Sequence, residues 1–349
     1  MAAALAAAAV PPAWAAPPPS RLLLGDGHIL LALALIHPDP ASLIAAWQGD
    51  LTRHSPEIFK AYQRKTPSLA EAQVVGMASP DTFSVELALA AEPDLAIFGG
   101  CYGPGPTSTS VLSRMKDVGV PVVFVDFFHD PLANTAPSMR RLGAALGGEA
   151  RDKAKDFAAF HEARLKRIAD RLAEARPQRP SVLLQSMAGA PGWNCCWVPG
   201  EAGLGTFITF AGGQNIGAEL STTTPWIRAN REFVLSHPID CFVTTGGPHL
   251  RGTQGLVIGP EVKEEEAHRT LLSAVAGSEV AEIDAVAQGN VHGFWHLLHA
   301  TPVNIIAVEA LARWLHPDLF SDLDPEATLA EINQRYLALP LTGRFTVSL

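Results

Sequence analysis

Residues 149–176, EARDKAKDFAAFHEARLKRIADRLAEAR, contain neither Pro nor Gly and constrain the fold more than any other stretch. Ala154, Phe157, His161, Leu165, Ile168 and Leu172 recur at three- and four-residue steps, the spacing of one helix face, and Lys, Arg, Asp and Glu fill most other positions. Gly147-Gly148 before the run and Pro177 and Pro180 after it mark its ends. At ~1.5 Å per residue this helix is on the order of 40 Å long, enough to cross one domain and reach a second. A chain of 349 residues has the length for two ordinary domains, each with its own core.

Both flanks alternate short apolar strands with helices, which predicts a parallel sheet in each, because parallel strands need crossover connections. Before the long helix, Leu22–Leu24 leads into the turn Gly25-Asp26-Gly27 and a helix from Ile29 to Leu35. Ser79-Pro80-Asp81 is expected to cap a helix over Thr82–Ala91, and strands are expected at Leu95–Phe98 and Pro121–Val125. After the long helix, strands are expected at Ser181–Leu184 and Cys241–Thr244, with a brief edge strand at Val291-His292. A helix-and-turn over Ser278–Gln288 and closing helices at Asn304–Trp314 and Pro325–Leu337 complete the scheme. The expected bounds are a leader at 1–20, a first lobe at 21–147, a connecting helix at 148–177 and a second lobe at 178–349.

The leader, MAAALAAAAVPPAWAAPPPS, is small and apolar, then Pro-rich, and Ala13-Trp14-Ala15 offers an A-x-A cleavage site. No basic residue precedes Arg21, so the positive n-region of a secretory signal is missing. The first cysteine is Cys101, which argues against a lipid anchor and leaves an exported, soluble periplasmic protein as the expectation. With 35 acidic against 26 basic residues, the net charge of -9 argues against nucleic acid as a partner. Cys101, Cys195, Cys196 and Cys241 have no C-x-x-C spacing. Neighbouring Cα atoms lie ~3.8 Å apart across a trans peptide, so Cys195 and Cys196 are expected to remain unbonded to one another. Glu264-Glu265-Glu266 reads as a solvated helix face.

An internal repeat is the most informative pattern. Glu86 precedes Pro93-Asp94 and a strand ending in Gly99-Gly100; Glu232 precedes Pro238-Asp240 and a strand ending in Gly246-Gly247. The segments SVELALAAEPDLAIF, REFVLSHPIDCFVTTGG, GGQNIGAEL and HPDLFSDLDPEATLAEINQRYL, in this order, resemble the substrate-binding proteins of ABC importers for ferric siderophores and cobalamin. The resemblance covers nearly everything after residue 20. It implies an α/β chain of two Rossmann-like lobes with parallel sheets joined by a single long helix, the class III periplasmic binding protein fold. It further implies a monomeric, non-enzymatic receptor without an intrinsic cofactor, which carries an iron(III) chelate to a permease dimer and its ATPase. By motif, Glu86 and Glu232 would dock into that permease. The chain itself is not the ATPase, having no G-x-x-x-x-G-K-[ST] loop.

Ligands of open parallel sheets bind beyond the carboxyl ends of the strands, and in a two-lobed chain those edges face one another. The loops expected there hold Tyr102, Phe127, Phe128, His129, Trp193, Trp197, Trp226, Arg228, Arg231, His249, Arg251, Trp295 and His296. Tyr102, Phe128, Trp193, Trp226, Arg228, His249, Trp295 and His296 are the candidate ligand contacts, because aromatic faces with few cations suit a bulky, partly apolar chelate. The scarcity of basic groups favours a hydroxamate siderophore or a corrinoid over an anionic catecholate, with haem or cobalamin as the alternative cargo. On one helix, His292 and His296 would share a face, with His299 following. No Cys or carboxylate lies within a few residues to complete a metal shell. A metal- or cofactor-dependent enzyme using His249, His292 and His296 is the alternative from another class; no G-x-S-x-G or H-E-x-x-H supports it.

Overall fold

The computed structural model of the chain describes residues 17–193, 195–276, 278 and 280–349. Ala13-Trp14-Ala15 of the expected leader and Glu279 of the expected helix-and-turn lie outside the described residues. The first lobe holds β1 (Leu22–Leu24), α1 (Ile29–Ala34), β2 (Ile44–Gln48), α2 (Asp50–His54), α3 (Pro56–Lys65) and β3 (Gln73–Gly76). It continues through α4 (Val85–Ala90), β4 (Leu95–Phe98), α5 (Thr109–Asp117), β5 (Val122–Phe124) and α6 (Pro131–Leu146). The sheet order is β3-β2-β1-β4-β5, parallel throughout. Leu22, Leu23 and Leu24 are fully buried, as expected of a strand covered on both faces.

The long helix, α7 (Gly148–Ala175), leads to the second lobe. There β6 (Ser181–Gln185), β7 (Trp197–Val198), α8 (Gly205–Phe210), β8 (Gln214–Asn215), β9 (Ile227–Arg228), α9 (Arg231–Leu235) and β10 (Cys241–Gly246) follow. The chain then forms β11 (Gly259–Pro260), α10 (Glu264–Ala276), α11 (Asp284–Ala287), β12 (Val291–Trp295), α12 (Ile305–Leu315) and α13 (Pro325–Arg335). It ends with β13 (Gly343–Arg344) and β14 (Thr346–Ser348). The second sheet has the order β14-β12-β10-β6-β8, with only β14 antiparallel.

Three local expectations change. The strand at Val291 spans five residues and is internal, because β14 pairs along its outer side. The expected helix from Thr82 is a single tight turn at Pro80–Thr82; α4 starts after Ser84, whose side chain accepts the Leu87 N–H. Cys195 and Cys196, expected to remain unbonded, are joined by a disulfide across a cis peptide.

The repeated Pro-Asp has a structural cause. Asp94 Oδ2 accepts the Ser20 N–H at 2.8 Å, and the Asp94 N–H donates to the Arg21 carbonyl at 2.9 Å, pinning the entry of β1 beside β4. Asp240 Oδ2 accepts the Ser181 N–H at 2.8 Å and donates its own N–H to the Ser181 carbonyl at 3.0 Å, doing the same for β6 beside β10.

On α7, Ala154, Phe157, His161 and Ile168 are buried, while Leu165 and Leu172 are half-buried. The helix runs along α6 and is tied to the second lobe by polar groups as well. His161 Nε2 donates to Asn304 Oδ1 at 2.7 Å, and Asn304 Nδ2 donates to Thr135 Oγ1 of α6 at 2.8 Å. Arg164 donates to Glu309 of α12 at 2.8 Å and to Glu331 of α13 at 2.6 Å. The larger of two clusters of buried apolar residues runs from the first sheet through these helices into the second, and the smaller, with Leu23, Phe98 and Met115, lies within the first lobe. After α13 the tail returns to the first lobe, where the Ala338 N–H donates to the Ala34 carbonyl at 2.9 Å. Among the described residues, no helix is long and apolar enough to cross a membrane.

Burial lowers His161 to about 4 and His292 to about 3, against an ordinary value of 6.5. In the unfolded chain both imidazoles take up a proton near 6.5, so the unfolded state binds more protons as pH falls from about 6.5 to 4, and native stability falls with it. The stability of His161→Phe should therefore depend less steeply on pH, by about 1.2 kcal/mol between pH 5 and 6, in urea unfolding followed by circular dichroism. Equal slopes in the two proteins would contradict the neutral, buried state of His161.

Candidate functional site

The two lobes meet at loops that follow the strands. Asp26 and His28 follow β1, Asp50 and His54 occupy the helix after β2, and Cys101 and Tyr102 follow β4. From the other lobe, His249 follows β10, His296 and His299 follow β12, and Trp226 precedes β9. The two sets touch. The His54 and His249 rings lie edge to face at 5.4 Å, and His249 Nδ1 donates to the His54 carbonyl at 3.2 Å. Phe128 of the first lobe lies 5.4 Å from His299 of the second, and the Gly203 N–H donates to the His129 carbonyl at 3.0 Å. Arg251 reaches across to Glu57 at 3.2 Å while also pairing with Glu266 on its own lobe at 3.0 Å.

On the first-lobe wall, the Tyr102 ring stacks on His54 at 5.3 Å and presents its face or edge to His28 at 5.6 Å. Asp50 accepts from His28 Nδ1 at 2.9 Å and from the His28 N–H at 3.1 Å. Asp26, fully buried, accepts the Gly99 N–H at 2.9 Å, the Gly103 N–H at 3.0 Å and the Tyr102 N–H. The Gly99–Gly103 loop is thus wrapped around one carboxylate. A Cβ on Gly99 would meet Asp26 Oδ2 at 2.6 Å and one on Gly103 would meet the Gly25 carbonyl at 1.8 Å, so both positions require glycine. On the second-lobe wall, Trp226 stacks on His296 at 6.0 Å and lies edge to face with His299 at 5.8 Å. His296 Nδ1 pairs with Thr245 Oγ1 at 3.1 Å, and His299 Nδ1 donates to the His296 carbonyl.

Burial keeps the imidazoles of His54, His249, His296 and His299 uncharged at neutral pH. It lowers His54 and His299 to about 4, lowers His249, and holds His296 well below its ordinary value. Burial also pulls on His28, but the Asp50 hydrogen bond and the charges of Asp50 and Asp26 outweigh it and raise His28. Burial raises Asp26, and holds the Cys101 thiol and the Tyr102 hydroxyl well above their ordinary values. Since Nδ1 of His249 and of His299 is committed to a carbonyl, Nε2 of each carries the lone pair.

Of the residues expected from sequence, Tyr102, Phe128, Trp226, His249 and His296 meet at the junction. Trp193 instead packs with Trp197 at 6.0 Å beside a second-lobe cavity of about 610 Å³, bounded also by Gln185, Cys195 and Thr253. Arg228 is exposed on β9, and Arg231 pairs with Glu282 on the surface. Trp295 is 1 % exposed against Phe345, with Gly259 beneath its ring, so it belongs to the core of the second lobe. His292 and His296 do not share a helix face: His292 is on β12, stacked at 4.5 Å on Trp314 and bonded to Ser348 and Asn290, so the His249–His292–His296 metal set does not assemble. Glu86 and Glu232 are both exposed in the first turns of their helices, two residues after the capping Ser84 and Asn230. Asp26 and His28 lie in the turn read after β1 but were not named as contacts, and Asp50 and His54 were not singled out; the four-residue step within α2 was the one signal for that pair.

The family described as "Periplasmic binding protein" matches residues 33–293. No curated protein sequence matches the chain. Among solved structures, a TroA-like periplasmic binding protein FepB from Veillonella parvula is 22% identical with a TM-score of 0.83, covering 96% of each chain. A periplasmic heme binding protein from Pseudomonas aeruginosa is 20% identical with a TM-score of 0.56, covering 86% of this chain and 94% of its own. CeuE from Helicobacter pylori, solved with Ni(II) bound, is 14% identical with a TM-score of 0.64, covering 93% and 92%. At these identities the structures establish the shared fold. The family match spans most of the sequence, and the chain belongs to the periplasmic binding proteins, a family of binding proteins and not of enzymes.

Proposed function

We propose that the protein captures a small metal chelate between its lobes, with a ferric hydroxamate-type siderophore as the favoured ligand, and presents it to the transmembrane dimer of an ABC permease. The observation that carries this reading is the character of the walls. Tyr102, Phe128 and Trp226 supply aromatic faces, and His54, His249, His296 and His299 are imidazoles held neutral by burial. Arg251, which does reach the junction, is committed to Glu57 and Glu266. Such walls favour a ligand of low net charge with apolar edges over a multiply charged catecholate. A haem reading has one specific support: the Nε2 lone pairs of His249 and His299 beside flat aromatic faces suit an iron with an open axial position.

For delivery, Glu86 and Glu232 are two exposed carboxylates at matching positions of the repeat, suited to basic pockets on a two-subunit partner. The protein would act from the periplasmic side of the membrane.

Tryptophan fluorescence titrated with ferrioxamine-like and ferrichrome-like chelates, cobalamin and haem should show saturable quenching by a hydroxamate chelate. Trp226→Ala should weaken that binding roughly tenfold, about 1.4 kcal/mol. Haem as the sole ligand, seen by its Soret band, would replace the hydroxamate reading, and no response to any of the four would refute capture of a chelate. Glu86→Ala combined with Glu232→Ala should leave chelate affinity unchanged while uptake through the permease fails; lost affinity would contradict the docking role.

A further inference from the structure

In the first-lobe wall, Asp26, His28 and Cys101 each offer one donor atom, and these atoms lie within 4.8 Å of one another. We propose that this thiolate, imidazole and carboxylate bind a single thiophilic divalent transition ion of the zinc, cobalt or nickel class directly, without a chelator. The inference does not rest on the chelate reading, since it concerns donors of the protein itself.

The hydrogen bonds at Asp26 and His28 leave donor capacity for this. Asp26 Oδ1 accepts two backbone N–H groups, from Tyr102 and Gly103, whereas Oδ2 accepts only that of Gly99 and keeps a lone pair. Asp50 takes His28 Nδ1 at 2.9 Å, which leaves Nε2 as the coordinating nitrogen. A carboxylate behind a ligating histidine in this way fixes the ring and raises its basicity. Cys101 is half-buried on the loop that wraps Asp26, whose backbone is held by the same hydrogen bonds that fix the carboxylate.

Charge supports the same conclusion. Asp26 and Asp50 are 0 % and 1 % exposed, and among the described residues neither pairs with a lysine or an arginine; His28 alone stands between them. Two buried carboxylates with one imidazole favour an added cation. Sulfur in the donor set excludes magnesium and calcium, which take oxygen ligands, and selects a borderline-soft ion. Tetrahedral zinc, with bonds of ~2.0–2.3 Å, sets its donors on the order of 3.5 Å apart, so a contraction of about 1 Å brings the three donors to bonding distance. Three protein ligands leave a fourth position for water or for a donor atom of an incoming molecule.

Cobalt(II) alone, titrated into the full chain without reductant, tests the site. One equivalent should saturate intense visible d–d bands together with a near-ultraviolet thiolate-to-cobalt charge-transfer band. Cys101→Ser should abolish the charge-transfer band, His28→Gln should weaken cobalt binding at least tenfold, and Asp50→Asn should weaken it about 10–100-fold. Cys241→Ser, at a buried thiol on β10, should leave both sets of bands unchanged. Circular dichroism checks that each variant is folded. No charge-transfer band in the parent protein, or a band that survives Cys101→Ser, overturns the proposal and leaves the cluster as a hydrogen-bonded scaffold for the Gly99–Gly103 loop.

Discussion

Everything in the structure depends on how α7 is fastened. Its apolar stripe packs along α6, and its polar groups reach the second lobe, where Arg164 holds the buried Glu309 together with Glu331, and His161 holds Asn304. Asn304 in turn bonds Thr135 of α6, so one amide joins the connecting helix, the first lobe and the second. A buried glutamate stripped of its arginine is costly, typically about 3–5 kcal/mol, so these ties resist separation. A continuous helix anchored at both ends also bends less than a pair of extended linkers would. The expected motion is a small rocking of one lobe against the other, with a cleft largely formed before ligand arrives.

That rigidity gives meaning to the chemistry of the walls. Imidazoles and aromatic rings are held by packing and by hydrogen bonds to carbonyls, threonine and aspartate, so their faces and lone pairs point in set directions. Preorganised neutral donors reduce the ordering cost of binding. The two walls differ in character. The second lobe contributes neutral imidazoles and indole, while the first adds to the His54 imidazole and the Tyr102 ring two buried carboxylates gathered around His28.

Much of this was legible in the sequence, and the failures have physical reasons. The long helix could be read because nothing in it breaks 3.6-residue periodicity, and its ends are marked by Gly and Pro. The Glu and Pro-Asp repeat pointed to two similar lobes, and the aspartates are now seen to pin β1 and β6. Less visible was the segment from Ile44 to Lys65, because the strand IAAWQ is short and shows no alternation, so α2 with Asp50 and His54 was passed over. Trp295 looked like a cleft residue because the strand was read as ending at His292, and His292 was paired with His296 by helical spacing. Whether a side chain faces the cleft or the core depends on sheet pairing with β14, some fifty residues away and set by long-range packing. The bond between Cys195 and Cys196 was likewise invisible, since a cis peptide without proline is too rare to be signalled by local sequence.

The central claim is that one ligand is gripped by both lobes at once. Hydrogen exchange measured by mass spectrometry, with and without the hydroxamate chelate, tests it most directly. Exchange should slow together at Gly25–His28, Asp50–His54 and Gly99–Gly103 of the first lobe and at Gly246–Leu250 and His296–Thr301 of the second, with α7 unchanged. Protection confined to one lobe, or faster exchange along α7 on binding, would contradict a shared cleft between lobes held by a rigid helix.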